Sequence, residues 1–180
     1  MKQLLNLKKK FSDLKGVNLP EGIRISVFDL DDTLFNGNSS FQYYLYLCRL
    51  GLFPCSTFLS ASVFLFRYQF LGLPPSELHQ LVFSKLLKGK SMKTISQPVT
   101  DFWDKRFHDS FYVPAISTLR RCQEKGHYVL LLSSSPEFLV GPIAKELEVD
   151  EYKASGYDLD KKGELTSIST NVDGSFDRIG

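Results

Sequence analysis

VFDLDDT, residues 27–33, is the stretch that decides the fold of this 180-residue chain. It overlaps a run, Ile23–Leu30, that follows turn residues and is rich in β-branched and aromatic side chains. Such a run predicts a short buried strand. The strand leads directly into Asp29 and Asp31, and carboxylates at the end of a buried strand are costly unless something pairs with them. The stretch therefore predicts a functional strand end rather than an ordinary turn.

Asp29 and Asp31 have the chemistry of a phosphoryl-transfer site. Open α/β sheets bind ligands at the carboxyl ends of their strands. Two carboxylates at that edge repel each other, so a bound cation would stabilise them. Mg²⁺ suits an oxygen-only site that also binds phosphate. We predict Asp29 as the nucleophile, Asp31 as the general acid and base, and both as magnesium ligands. The alternative is that the two acids only form a turn and cap the next helix.

A second apolar strand, Tyr128–Leu132, ends at three serines. An unbroken apolar strand is typical of a parallel sheet that is covered on both faces. Ser135 is predicted as the N-cap of the following helix, with Pro136 at its first position. Free amides at that helix terminus, together with the hydroxyls of Ser133 and Ser134, predict a phosphate-binding site. The alternative is that these small residues serve only as a cap.

The sequence on both sides of this second strand has an α/β pattern. Pro114–Lys125 predicts a helix that ends at Gly126, and the helix after the serines is predicted to reach about Leu147. Two later runs, Tyr152–Asp158 and Glu164–Ile168, predict a β-hairpin.

Residues 35–111 differ from the rest, because no strand-like alternation occurs in them. Apolar residues at helical spacing predict helices over Ser76–Lys88 and Val99–Phe107, so we interpret the whole segment as an all-helical insert. A membrane span over Leu50–Leu73 is the alternative to a buried helix pair there. We favour the helix pair, because the run is short, contains a proline and is closed by Arg67. Contact between an aromatic face and lipid stays open.

Composition and charge narrow the class of function. The chain is 43% hydrophobic and 23% charged, as in a folded globular protein, and its net charge of +2 gives no reason to expect nucleic acid as a partner. Its three cysteines have no paired spacing, which favours free thiols and a cytoplasmic location. Residues 1–22 form a basic lead-in, predicted to be solvated or in contact with a membrane surface.

These motifs resemble those of the haloacid dehalogenase superfamily. Residues 27–34 resemble its first motif, DxDxT after an apolar strand, and Leu130–Ser133 resembles its second. The SSSPE sequence that starts at Ser133, the helical insert and the Asp160–Thr166 hairpin look like the phosphoserine-phosphatase branch. The resemblance implies a helical cap over the active site, Mg²⁺ as cofactor and a small phosphorylated substrate. An acid two places after the nucleophile implies a phosphatase rather than a dehalogenase.

The sequence departs from that family near its end. The family's third-motif lysine is expected near Phe176–Arg178, where no lysine occurs. The fourth-motif acids are expected beyond Gly180, and we interpret Asp173–Asp177 as a turn. The expectation is therefore a chain that stops before both motifs, or one that has lost activity.

The lysines of the insert leave two interpretations open. Lys85, Lys88, Lys90 and Lys93 could attract an anionic substrate, although a solvated helix face explains them as well. The aromatic content nearby favours either a lipid-linked phosphate or ordinary packing between helices.

Together these patterns predict an α/β protein with a Rossmann-like parallel sheet, an inserted all-helical cap and a β-hairpin near its C-terminus. The predicted core is 23–34 with 112–180, and the cap is 35–111. The predicted function is magnesium-dependent hydrolysis of a phosphate monoester through an aspartyl-phosphate. The alternatives are a lipid-phosphate phosphatase at a membrane surface and an inactive binding domain of the same fold.

Overall fold

The computed structural model describes residues 24–54 and 75–170, which build a four-stranded sheet with helices packed around it. The strands lie in the order β1-β2-β3-β4, with the first three parallel and the last pair antiparallel. Their bounds are β1 Ile25–Asp29, β2 Tyr128–Pro136, β3 Glu151–Leu159 and β4 Leu165–Thr170.

 Strand β3 joins the parallel part of the sheet to the antiparallel hairpin, because it pairs with β2 on one side and with β4 on the other.

The two predicted apolar strands are neighbours. Strand β1 pairs in parallel with β2, in a register that sets Ile25 opposite Tyr128 and Asp29 opposite Leu132. The middle of β2, Val129–Leu132, is buried, as expected for a parallel strand covered on both faces. This register brings the end of β1 beside the start of the serine run, which is the adjacency that the sequence predicted.

Strand β2 is longer than the sequence predicted, and the predicted helix cap is wrong. The strand continues through the serines to Pro136, which pairs with Ser155 on β3. Pro136 is the N-cap residue, and the following helix begins at Glu137, so Ser135 does not cap it. The reason is that Ser135 is held in the strand by other partners, with its amide donating to Ser133 Oγ at 3.0 Å.

The C-terminal hairpin was predicted correctly. Strands β3 and β4 pair antiparallel, and Asp160 closes the turn between them by accepting hydrogen bonds from the amides of Lys162 and Glu164. Gly163 adopts a positive φ of 76° in this turn, a conformation that glycine reaches without steric cost.

Helices account for the remaining elements. Within residues 24–54 and 75–170, five lie in the order α1 to α5 before β2, and a sixth, α6, follows it; their bounds are α1 Ser39–Arg49, α2 Pro75–Val82, α3 Met92–Ser96, α4 Val99–Ser110, α5 Val113–Glu124 and α6 Glu137–Glu146. A π-helical turn, Phe83–Leu87, continues α2, so the predicted helix over Ser76–Lys88 is found with a change of helix type. Among the described residues, no helix is both long and apolar enough to cross a bilayer.

The two ends of the predicted insert lie side by side. Phe35 and Phe111 form an antiparallel bridge, and the Tyr112 amide donates to the Leu34 carbonyl at 2.9 Å. The insert also packs onto helix α6, since Trp103 Nε1 donates to the Leu139 carbonyl at 2.8 Å. One hydrophobic cluster contains residues of both parts. The division into a core and a separate cap stays a prediction.

Several predictions concern residues that lie outside the described ranges. They are the basic lead-in 1–22, most of the span considered over 50–73, and the acidic turn 173–177.

Candidate active site

The two aspartates of the first motif lie at the carboxyl edge of the sheet. Strand β1 ends at Asp29, which is exposed, and the chain then turns while the Leu30 amide still donates to the Leu132 carbonyl at 3.2 Å. Amides of the next turn, at Leu34 and Phe35, donate back to the Leu30 carbonyl. Asp31 thereby leaves the strand direction and reaches over the end of β2.

The turn depends on two residues with a positive φ. Asp32 has a φ of 57° and Gly37 a φ of 93°, and the Asp32 amide donates to the Gly37 carbonyl at 3.2 Å. Aspartate tolerates the left-handed region better than most residues, because its short side chain bonds locally. This closed loop positions the start of helix α1 directly over Asp31.

The Asp31 carboxylate accepts hydrogen bonds from three donors. The Ser39 amide donates to Oδ1 at 2.6 Å, and Ser135 Oγ donates to Oδ2 at 2.7 Å. Ser133 Oγ donates to the same Oδ2 at 3.3 Å. The first donor belongs to a helix N-terminus, where unpaired amides and the helix dipole favour a carboxylate.

Four serines surround this carboxylate, and we call them the serine cluster: Ser39, Ser40, Ser133 and Ser135. Ser40 Oγ donates to Ser135 Oγ at 2.7 Å, and the hydroxyls of Ser39 and Ser135 lie 3.1 Å apart. Ser39, Ser133 and Ser135 are all buried. The cluster thus forms a chain of hydroxyls that ends on Asp31 Oδ2.

Burial raises the pKa of the Asp31 carboxyl above its ordinary value of 3.8. Hydrogen bonds from Ser39, then Ser135 and Ser133, act in the opposite direction because they stabilise the charged form. Burial is the larger effect, so Asp31 retains its proton to a higher pH than a solvated aspartate does. A carboxyl group of this kind can give up a proton to a leaving group and take it back.

Of the four residues that the sequence predicted for this site, Asp31 and Ser133 are in contact. Asp29 lies two residues before Asp31 at the end of β1, where it is exposed and opposite Leu132 of β2. Ser134 is exposed, whereas its neighbours in β2 are buried, and its carbonyl accepts a hydrogen bond from Ser155 Oγ at 2.8 Å. Its side chain therefore belongs to the other face of the strand.

Sequence reasoning missed Ser39 and Ser40 and gave Ser135 a different role. A signal for the first two was present, since Asn38 precedes them and a polar residue before an apolar helix marks an N-terminus. Asn38 is indeed the N-cap of α1, and its side chain accepts a hydrogen bond from the Phe41 amide at 2.8 Å.

The site offers oxygen ligands, which is the donor type that Mg²⁺ prefers. Asp29 supplies an exposed carboxylate, and the serine cluster supplies hydroxyls. Three donors already engage the Asp31 carboxylate, and a carboxylate has about four lone-pair sites, so this side chain has little capacity left. Within residues 24–54 and 75–170, no three His, Cys, Asp or Glu residues converge as a metal-binding group. The described donors therefore fit magnesium in type.

Comparison with known proteins identifies a family for this chain. Residues 26–175 match the family model described as haloacid dehalogenase-like hydrolase. The crystal structure of a protein of unknown function from Bordetella pertussis Tohama I is 22% identical with a TM-score of 0.70, and the match covers 83% of this chain and 68% of that one.

Two phosphoserine phosphatase structures are also similar. A substrate-bound complex is 16% identical with a TM-score of 0.57, and the match covers 83% of this chain and 63% of that one. A phospho-aspartyl intermediate analogue is 14% identical with a TM-score of 0.56, and the match covers 81% and 63% of the two chains. At such identities the likeness establishes the fold, and it confirms the predicted α/β Rossmann-like sheet. The chain spans about two thirds of the length of these structures. No curated protein matches the chain.

Proposed function

The chain belongs to the haloacid dehalogenase-like hydrolases, and we propose on this basis that it hydrolyses a phosphate monoester, with Asp29 as nucleophile and Asp31 as acid and base. The single observation that carries the proposal is the contact between Asp31 and the serine cluster. It fixes a half-buried aspartate, whose carboxyl pKa is raised, two residues beyond an exposed carboxylate.

The first step forms a bond between an Asp29 carboxylate oxygen and phosphorus. The bond between phosphorus and the ester oxygen breaks, and the departing oxygen takes the proton of Asp31. The raised pKa of Asp31 suits this role, because the proton must still be present when the leaving group needs it.

The second step reverses the role of Asp31. Its carboxylate takes a proton from a water molecule as the water oxygen bonds to phosphorus, and the bond from phosphorus to the Asp29 oxygen breaks. Inorganic phosphate leaves, and both aspartates return to their starting states. The Ser39 amide and the Ser135 hydroxyl keep the carboxylate in place between the two steps.

Ser133 is the proposed phosphate-binding hydroxyl. Its bond to Asp31 is 3.3 Å, longer than the bonds of the other two donors, so exchanging it for a phosphate oxygen costs the least. Ser133 also accepts a hydrogen bond from the Ser135 amide, which fixes its orientation. Ser134 was predicted for the same role, but its exposed position makes it the weaker candidate.

We propose magnesium as the cofactor, with Asp29 and Asp31 as its predicted ligands from this part of the chain. When bound, the ion neutralises negative charge on the phosphoryl group and on the attacking carboxylate. The proposed substrate is a small phosphorylated molecule, and the proposed location is the cytoplasm. A lipid-phosphate substrate at a membrane surface stays the alternative within the same chemistry.

A direct experiment is magnesium-dependent release of phosphate from an aryl phosphate by the full chain. Asp29→Asn is expected to abolish this release, because an amide is a poor nucleophile toward phosphorus. Asp32→Asn is the matched control, since Asp32 is exposed and adjacent in sequence to the proposed acid and base. Equal activity in Asp29→Asn and wild type, or no release by wild type with magnesium present, would overturn the proposal.

A further inference from the structure

A second surface of the protein concentrates positive charge where the insert meets the hairpin. The Gly89 amide donates to the Leu165 carbonyl at 2.8 Å, and the Leu165 amide donates to the Lys90 carbonyl at 3.0 Å. The Met92 amide donates to the Gly163 carbonyl at 2.9 Å, and Ser91 and Glu164 form an antiparallel bridge. The segment 89–92 is thereby paired along the hairpin like a short additional strand.

This pairing brings together lysines that are far apart in the sequence. We call the following set the basic surface: Lys88, Lys90, Lys93, Lys161 and Lys162. All five are exposed, and each lies within two residues of the paired segments. In the described part of the chain none of them forms an ion pair. The whole chain has a net charge of only +2, so this concentration of lysines is a local asymmetry.

The nearby acids offset this charge only in part. Asp160 is exposed and accepts hydrogen bonds from backbone amides of the hairpin turn, and Glu164 is half-buried in the bridge with Ser91. Asp158, exposed on β3 just before the turn, accepts a hydrogen bond from the Ser167 hydroxyl at 2.7 Å. The five lysines therefore outnumber the three nearby acids, and Lys161 and Lys162 lie at the tip of the hairpin.

Exposed leucines border the basic surface. Leu159 ends β3 next to the hairpin turn and is 46% exposed. Leu50 and Leu52 are 47% and 37% exposed, and they precede Phe53, over whose ring Lys90 Nζ lies at 5.5 Å. A membrane with anionic lipids matches this combination, because lysines attract its headgroups and leucines can enter the apolar region beneath them.

The basic surface is too far from Asp31 to be part of the same small-molecule site. Strand β3 runs parallel to β2, so the hairpin turn lies beyond the edge of the sheet at which Ser133 and Asp31 meet. Pro136, directly after the serine cluster, pairs with Ser155, which lies five residues before Asp160. At roughly 3.3 Å per residue the turn lies about 15 Å beyond the serine cluster. A second phosphate on a small substrate cannot span that distance.

We propose that the basic surface docks the protein on an anionic phospholipid membrane, with Leu159, Leu50 and Leu52 at the lipid boundary. The active-site edge of the sheet then faces the membrane. Nucleic acid is the less suitable partner, because exposed leucines gain nothing from a phosphate backbone. The docking does not depend on the proposed catalytic function.

The test is sedimentation of the full chain with vesicles of phosphatidylcholine, with and without phosphatidylglycerol. Wild type is expected to bind only the anionic vesicles, and more weakly as salt increases. Because each lysine near an anionic surface strengthens binding about fivefold, Lys161→Gln with Lys162→Gln should weaken it roughly 25-fold. The matched control is Arg121→Gln with Lys125→Gln, two exposed cations at the opposite edge of the sheet, which should retain wild-type binding.

Three outcomes would overturn the proposal. Wild type could fail to bind anionic vesicles, or it could bind neutral and anionic vesicles equally. The hairpin double variant could bind as tightly as the control double variant, which would place the contact elsewhere. A duplex RNA probe tests nucleic acid as the partner instead of lipid. Tight RNA binding that depends on Lys161 and Lys162, in a protein that does not bind vesicles, would show that the basic surface binds nucleic acid and would overturn the proposal. Phosphatase assays on the hairpin variant without vesicles should give wild-type rates.

Discussion

The Ser135 hydroxyl donates to Asp31 Oδ2 at 2.7 Å, although 104 residues separate the two along the chain. This contact joins the turn after β1 to the end of β2, and Ser40 extends it by donating to Ser135. The arrangement makes Ser135 a positioning residue for the proposed acid and base. It also explains why β2 continues past Ser133, since the side chain of Ser135 must reach the same face of the sheet.

Replacing Ser135 by alanine should slow phosphate release without preventing folding. Hydrogen bonds to charged groups contribute about 1.5–3 kcal/mol, so we expect kcat to fall about 10- to 100-fold. The limb of the pH–rate profile that Asp31 controls should also move to higher pH, because a donor that lowers the Asp31 pKa is removed. Ser134→Ala, at the exposed neighbouring position, should leave both kcat and the profile unchanged. An equal loss in the two variants would mean that Ser135 has no special role.

The stability of the metal-free protein should depend on Asp31 in a defined direction. The folded-state pKa of Asp31 is raised above 3.8, so the native state binds this proton more tightly than the unfolded chain does. The cost of ionising Asp31 in the folded protein is absent below its ordinary pKa and fully present above its folded-state pKa. The free energy of unfolding therefore falls as pH rises between these two pKa values. Asp31→Asn has no such group, so its free energy of unfolding should not show this fall.

Urea unfolding in EDTA at several pH values, for wild type and Asp31→Asn, measures this difference. The variant should become the more stable protein as pH increases toward neutrality. A constant difference between the two proteins across the whole range would mean that the Asp31 pKa is not raised.

Gly37 should be required for the loop that sets α1 over Asp31. Its φ of 93° strains any other residue, and a Cβ there would lie 3.1 Å from Gln42 Nε2. Gly37→Ala should cost about 1 kcal/mol or more in unfolding free energy and should also lower kcat, because the Ser39 amide depends on this loop. Gly51→Ala is the matched control, since Gly51 has a φ of 72° with nothing within 4 Å. It should lose similar stability but retain kcat; a loss of kcat in both variants would contradict this prediction.

Trp103 should stabilise the contact between the insert and helix α6. It is buried, and its indole donates to the Leu139 carbonyl. Trp103→Phe leaves that carbonyl without its donor and leaves unfilled volume, so unfolding free energy should fall by about 2–4 kcal/mol. Tyr112→Phe, at a side chain that is 59% exposed, should change it very little. Chemical denaturation measures the unfolding free energy of both variants. If Trp103→Phe loses no more than Tyr112→Phe, the contact between Trp103 and Leu139 does not stabilise the fold.

The part of the site that could be predicted from sequence is the part fixed by strand ends. Two apolar strands in a parallel sheet end at the same edge, so the neighbourhood of Asp31 and Ser133 follows from the pattern alone. The pattern also predicts the hairpin, because Lys161 to Gly163 separate two runs of β-forming residues.

The rest depended on tertiary contacts that no local pattern carries. Ser39 and Ser40 reach the site because Asp32 and Gly37 close a loop with positive φ values, and an aspartate gives no firm signal of that conformation. Ser135 has the composition of a helix cap, but its bond to Asp31 keeps it in β2, so a long-range partner overrode a local preference.

The central claim is that Asp29 carries the phosphoryl group, and Asp31→Asn makes this step visible. A nitrophenyl phosphate has a leaving group that needs no proton, so the variant should still phosphorylate Asp29 but should hydrolyse it slowly for lack of a base. The measurement is mass spectrometry of peptides from Asp31→Asn, quenched in acid during turnover with magnesium. We predict one burst of nitrophenol and a phosphoryl group on the peptide that contains Asp29, absent when Asp29→Asn is added. A burst without that modification, a phosphoryl group on Ser133 instead, or no burst at all would contradict the account.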